Sequence, residues 1–234
     1  MTERPPQLVL MPGMDGSGEL FRGLSAQLSS AMQAQVMRYP AEQWLSYQGL
    51  AEVVRHQLQA ERPMVLVAES YSSPVAILLA AAAPENLRGI VLCSGFATSP
   101  LRGWRRTLLL RFASELVALP LPGSLVRWLL LGDEAPQSLV DAFREAVDWV
   151  LPQVLAARVR QVLMTNVLAE LAQVRVPILY LQGTEDRLLN QECLLEARAV
   201  MPGRTVAIRA PHMLLQCEPK ACADLIVEFA RGLV

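Results

Sequence analysis

Histidine is scarce in this chain: 234 residues carry two, His56 and His212, so any imidazole chemistry near neutral pH rests on those positions. Cysteine is little used as well. Cys93, Cys193, Cys217 and Cys222 show neither metal-ligand spacing nor the density of a small secreted scaffold, which points to reduced, mostly buried thiols and to no metal site. Neither sign of charge is in excess. Twenty-one Lys and Arg against 22 Asp and Glu leave a formal net charge of -1, which points to no nucleic-acid partner and gives no overall attraction to an anionic membrane. The start, MTERPPQLVL, lacks the apolar stretch of a signal peptide. The most apolar run, Thr107 to Leu131, is broken by Arg111, Glu115, Pro120, Pro122, Gly123 and Arg127 and is unfit to span a bilayer. The expectation is a soluble, cytoplasmic protein without membrane insertion.

What is present is apolar mass. Hydrophobic residues make up 53% of the chain and the mean hydropathy is +0.30, suited to one α/β domain around a buried parallel sheet. Short apolar runs read as strands at Gln7–Met11, Ala34–Arg38, Met64–Ala68, Gly89–Cys93, Pro177–Leu181 and Thr205–Arg209. Helical patterns lie between them, including Glu19–Ser29, a very apolar stretch from Val75 to Ala83, and a last helix from Lys220 to Gly232. Alternation of this kind predicts about six mostly parallel strands with right-handed crossovers and helices on both faces. From Leu101 to Leu171 no strand pattern occurs. This helical insertion after the fourth strand is expected to lie over the carboxyl edge of the sheet, where open α/β sheets bind ligands, and so to act as a lid.

The chemistry centres on MVLVAESYSSP, Met64 to Pro74. A strand ends at Ala68, a helix begins near Pro74, and Ser70 stands between them with small residues two positions away on either side. That is the layout of a nucleophile elbow, written A-E-S-Y-S in place of G-x-S-x-G. The alternative is that Ser70 simply caps the helix. A serine nucleophile needs a base. His56 sits within a helical pattern among polar residues, whereas His212 follows the last strand, on the edge that carries Ser70. The base needs a carboxylate to orient it, and Asp186, after the fifth strand in QGTEDR, is the candidate, with Glu185 its possible substitute. Backbone N–H groups of Tyr71 and of Met14, the latter in the loop PGMDGSG, would hold a developing oxyanion. The loop glycines Gly13, Gly16 and Gly18 fit neither the dinucleotide fingerprint nor the P-loop.

Five motifs in this order, LMPGMDGSGELF (Leu10 to Phe21), VLVAESYSSPVA (Val65 to Ala76), GIVLCSGF (Gly89 to Phe96), LQGTEDRLL (Leu181 to Leu189) and APHMLLQCEP (Ala210 to Pro219), resemble the α/β-hydrolase superfamily from about Gln7 to Val234. The resemblance implies an α/β-hydrolase fold, an acyl-enzyme mechanism through Ser70, His212 and Asp186 with Met14 and Tyr71 amides as oxyanion donors, and no cofactor. Pro12 stands where many relatives carry histidine.

The expected substrate is a small-molecule ester or thioester of a short or medium acyl group. A silent ligand-binding protein and a peptidase, with Asp15 or Glu69 anchoring the substrate amine, are the alternatives. Within the insertion, Trp104, Trp128 and Trp149 are expected to pack in the core, and Arg102, Arg105 and Arg106 to form a solvated face. Oligomeric state does not follow from these residues.

Overall fold

Each of the six apolar runs forms a strand: β1 (Gln7–Met11), β2 (Ala34–Val36), β3 (Met64–Glu69), β4 (Leu87–Cys93), β5 (Ile178–Gly183) and β6 (Gly203–Ile208). The computed structural model describes residues 5–28, 32–58, 62–119, 121–201 and 203–233; the expected first-helix end at Ser29 and the helix-breaking Pro120 fall outside them. All five strand pairings are parallel, in the order β2-β1-β3-β4-β5-β6, giving the α/β-hydrolase fold. β3 lies inside the sheet and is buried at every residue, which is why it reads as a continuous apolar run.

Alternate residues serve opposite faces. Val9, Met11, Leu66 and Ala68 join one core layer, covered by α2 (Tyr47–Gln57), α3 (Ser73–Ala81), α8 (Leu168–Leu171) and α9 (Gln191–Val200). Leu8, Leu10, Val65 and Val67 face the other layer, covered by α1 (Arg22–Leu28), α10 (Leu214–Cys217) and α11 (Pro219–Arg231). The insertion consists of α4 (Gly103–Val117), α5 (Gly123–Val126), a π-helical turn at Arg127–Leu131, α6 (Gln137–Asp148), α7 (Pro152–Leu163) and α8.

Strand order fixes where a site can form. The chain leaves β1 toward β2 on one side and returns to pair β3 on the other side of β1. The loops after β1 and β3 therefore diverge and leave a crevice at their carboxyl ends. Those loops carry Met14 and Ser70.

One expectation for the insertion fails and another holds only in part. Trp104, Trp128 and Trp149 do not pack in the core; they are 72%, 52% and 46% exposed. Helix-spaced apolar residues normally mark a buried stripe, but α4 buries only Ala113. Nor are the arginines uniformly solvated. Arg102 and Arg105 are exposed as expected, Arg102 in surface pairs with Glu192 and Glu196, but Arg106 is half-buried and donates to the Leu163 carbonyl.

Candidate active site

Ser70 opens a single 3₁₀ turn (Ser70–Ser72) between β3 and α3, and its φ is +44°. A residue with a Cβ visits this region rarely and at a cost of about 1–3 kcal/mol, so the surrounding structure must hold it there. The result is a sharp strand-to-helix turn with the serine at its apex. Ala68 and Ser72, in place of glycines, are both fully buried. Ser72 has a task of its own. Its hydroxyl donates to the Pro12 carbonyl and accepts from the Tyr39 hydroxyl at 2.6 Å, which ties the elbow to the loop after β1.

Three elements converge on Ser70. Its Oγ lies 2.9 Å from His212 Nε2, and His212 Nδ1 lies 2.8 Å from Asp186 Oδ2. With Nδ1–H donated to the carboxylate, Nε2 is left to accept from the serine. The loops after β5 and β6 can come this close because Gly183 has no side chain: a Cβ there would stand 2.5 Å from the Pro211 carbonyl oxygen and 2.6 Å from that of Ala210. Burial by itself would raise the Asp186 carboxyl. The His212 hydrogen bond and charge, with the N–H groups of Leu189 and Leu188, outweigh it and hold the group below the usual range. Glu185 turns outward to pair with Arg209 at 2.9 Å and takes no part. His56 is exposed on α2.

Met14 and Tyr71 lie in the two loops that border the crevice. Tyr71 is second in its 3₁₀ turn, so its N–H has no partner within the turn. Several residues escaped the pattern analysis. Arg158 on α7, 1% exposed, donates through Nη1 to the Met14 and Asp15 carbonyls at 2.7 and 3.0 Å and through Nη2 to that of Pro40 at 2.7 Å. Its guanidinium also sits 5.8 Å from the Tyr71 ring centroid. Gly16, at φ +70°, admits it, since a Cβ there would stand 2.9 Å from Nη1. Ser94, at the end of β4, donates to the His212 carbonyl at 2.7 Å and fixes the histidine's backbone.

Asp15 and Glu69 are both buried beside this loop. Asp15 Oδ2 accepts from the Ser17 N–H at 2.8 Å and from the Ser17 hydroxyl. Burial, reinforced by the neighbouring Asp15 charge, pushes Glu69 up to about 7. The only sequence signal for these groups was local: Glu69 precedes the candidate nucleophile, and Asp15 sits in the glycine-rich loop. Arg158 gave none, since one arginine among many on a helix carries no mark of burial.

The insertion touches the site on two sides. Arg158 and Gln161 on α7 hold the Met14 loop and the Tyr71 hydroxyl, while the Leu130 carbonyl on the π-helical turn accepts from the Met213 N–H at 2.9 Å, next to His212. Among the described residues no cluster of three or more His, Cys, Asp or Glu side chains is arranged as a metal would need. All four cysteines are unpaired.

A sequence model of the alpha/beta hydrolase family matches residues 8–225. The structure is similar to an esterase from Thermogutta terrifontis (TM-score 0.82, 18% identity, 99% of this chain and 92% of that one). It is similar too to a hydrolase from Oleispira antarctica (TM-score 0.81, 14% identity, 98% and 92%) and to the enol-lactonase from Burkholderia xenovorans LB400 (TM-score 0.72, 15% identity, 98% and 92%). At such identities these likenesses speak for the fold alone. A comparison with curated proteins returns no match.

Proposed function

Since the chain belongs to the alpha/beta hydrolase family, we propose that it is a serine hydrolase of carboxylic esters, thioesters included, with small or medium acyl groups. The observation that carries the reading is the continuous hydrogen-bonded line from Ser70 Oγ through both nitrogens of His212 to Asp186, with the serine held at positive φ. That family includes many chemistries on one scaffold. A serine at the elbow favours acyl transfer, and the esterase and enol-lactonase among the structural neighbours both act on ester-type bonds, as their names state.

In this reading Ser70 Oγ attacks the acyl carbon while its proton passes to His212 Nε2. Asp186 holds the ring's tautomer and stabilises the imidazolium without taking the proton. The Met14 and Tyr71 N–H groups receive the negative charge that develops on the carbonyl oxygen. As the tetrahedral species collapses, the proton moves from His212 to the departing alcohol or thiol, and an acyl-serine remains. Water then attacks the acyl carbon, gives its proton to His212, and the acid leaves as Ser70 is reprotonated. The helical insertion acts as the lid over this edge, supported by its contacts on both sides of the crevice.

Intact-mass labelling with a fluorophosphonate probe tests the reading. One adduct on the wild type, absent in Ser70→Ala and in His212→Ala, is expected, followed by turnover of a panel of acyl esters and thioesters. Folded wild type that takes no adduct would refute it and leave a ligand-binding role. The peptidase alternative draws no support from Asp15 and Glu69, because both are buried and Asp15 is occupied by Ser17.

A further inference from the structure

Of the fifteen large apolar side chains that stand exposed among the described residues, eight fall between Trp104 and Trp128. On α4, Trp104, Leu108 and Phe112 follow one another at four-residue steps and so share one face about 80° wide, up to the break in helical geometry at Phe112 (φ -111°, ψ 18°); Leu116 is exposed beyond the break. Leu119, just past the helix end, is 61% exposed as well. The opposite side of α4, centred on Ala113, packs against α7, which in turn holds the Met14 loop and Tyr71. The stripe is therefore the outer face of the cover over the candidate site. Contiguous apolar surface of this kind marks a place where something binds.

Charge narrows the occupant. The chain as a whole is near neutral, but Leu101 to Leu131 carries five arginines and one acid, Glu115. Arg102 is neutralised by Glu192 and Glu196. Arg105 and Arg111 have no carboxylate within ion-pair distance among the described residues; instead each lies over an aromatic ring of the stripe, at 5.6 Å from Trp104 and 5.7 Å from Phe112. Cations interleaved with Trp, Phe and Leu match the boundary between anionic headgroups and acyl chains. A second copy of this chain offers these arginines one acid on α4, Glu115, whereas an anionic headgroup layer offers a phosphate to each.

We propose that the outer face of α4 docks on an anionic lipid surface, with Trp104, Leu108 and Phe112 seated at the headgroup boundary and Arg105 and Arg111 on the phosphates. Docking of this kind lies on the membrane and requires no spanning segment; no helix among the described residues is long and apolar enough to cross one. It would set the cover of the crevice against the bilayer, so an acyl substrate could be drawn from the lipid phase.

Cosedimentation with phosphatidylglycerol vesicles and with phosphatidylcholine vesicles tests this without reference to catalysis. Wild type should partition onto the phosphatidylglycerol vesicles, less so as salt rises, and weakly onto phosphatidylcholine. Arg105→Gln/Arg111→Gln should bind the anionic vesicles about thirtyfold more weakly, and Trp104→Ala/Phe112→Ala at least about tenfold more weakly. All four side chains are exposed, so unchanged melting curves and unchanged Ser70 labelling are expected of both variants. Folded wild type that ignores phosphatidylglycerol, or binding that both variants retain, would overturn the proposal. So would a concentration-dependent dimer that Trp104→Ala/Phe112→Ala dissolves, since the face would then belong to a second copy.

Discussion

Arg158 offers the sharpest test of how the site is held. Its guanidinium is buried, meets no carboxylate among the described residues, and spends its donors on three backbone carbonyls, two of them in the loop that carries Met14. Hydrogen bonds from a charged donor contribute about 1.5–3 kcal/mol each, and a buried carbonyl left without a partner costs about 1–3 kcal/mol. The three bonds share one donor group whose own desolvation opposes them, so they do not add in full. Arg158→Met should therefore destabilise the fold by about 4 kcal/mol, read as a drop of about 8–16 °C in Tm for a domain of this size. Arg158→Lys keeps a charge but offers an ammonium in place of a planar fork, and should fall between the two. The kinetic effect has a ceiling. If the Met14 N–H serves as an oxyanion donor, displacing its loop costs at most what losing one such donor costs, about 10²–10³ in kcat, with KM little changed. Chemical denaturation and steady-state ester hydrolysis on wild type, Lys and Met variants read both quantities. Arg158→Met with stability within about 1 kcal/mol and kcat within about twofold of wild type would refute the reasoning.

Glu69 should make stability depend on pH. Its folded value of about 7 exceeds its ordinary value of 4.5, so between those limits the native state keeps a proton that the unfolded chain has released. Stability contributed by this group is complete below about pH 4.5 and declines as pH rises to about 7, by about 3 kcal/mol in total. Glu69→Gln should match wild type near pH 4.5 and exceed it near pH 8 in urea midpoints; an equal pH slope in both proteins would sink the assignment. Gly183→Ala places a methyl against two backbone oxygens that cannot rotate away. It should cost about 1–3 kcal/mol and widen the His212–Asp186 contact, so that probe labelling of Ser70 slows; labelling at the wild-type rate would show that the loops tolerate the spread.

The inner strands were legible because a parallel sheet buried on both faces writes itself as short unbroken apolar runs; the edge strands β2 and β6 are partly exposed and carry a weaker pattern, and all six needed adjustment only at their ends. β4 begins two residues earlier than Gly89, and β6 spans Gly203–Ile208 where the pattern placed it over Thr205–Arg209. Ser70, Asp186 and His212 were legible for a different reason: each follows a strand, and parallel topology brings all such loops to one edge. Side-chain direction on the insertion was not legible. An amphipathic pattern tells which residues share a face without telling what that face meets, so the pattern alone puts Trp104 in the core while α4 turns it to solvent. Arg158 was hidden for the converse reason, since nothing in PQVLAARVRQVL says that one arginine points inward to three carbonyls.

The departure from glycine at the elbow is resolved by what Ser72 does. A glycine at that position would relieve crowding but leave the Pro12 carbonyl without its donor. Ser72 fills the position with a hydroxyl that links Tyr39 to Pro12, and Arg158 grips the same loop two and three residues later, at Met14 and Asp15. The segment from Pro12 to Asp15 is thus held from the elbow at one end and from the insertion at the other. Ser70 stands at a strained φ beside it, a conformation that persists only where neighbours over-determine it. The small but hydroxyl-bearing residue at the elbow is then part of the restraint on Ser70, and the strain at Ser70 and the buried cation at Arg158 belong to one arrangement: a rigid crevice between β1 and β3, clamped by the helices that cover it.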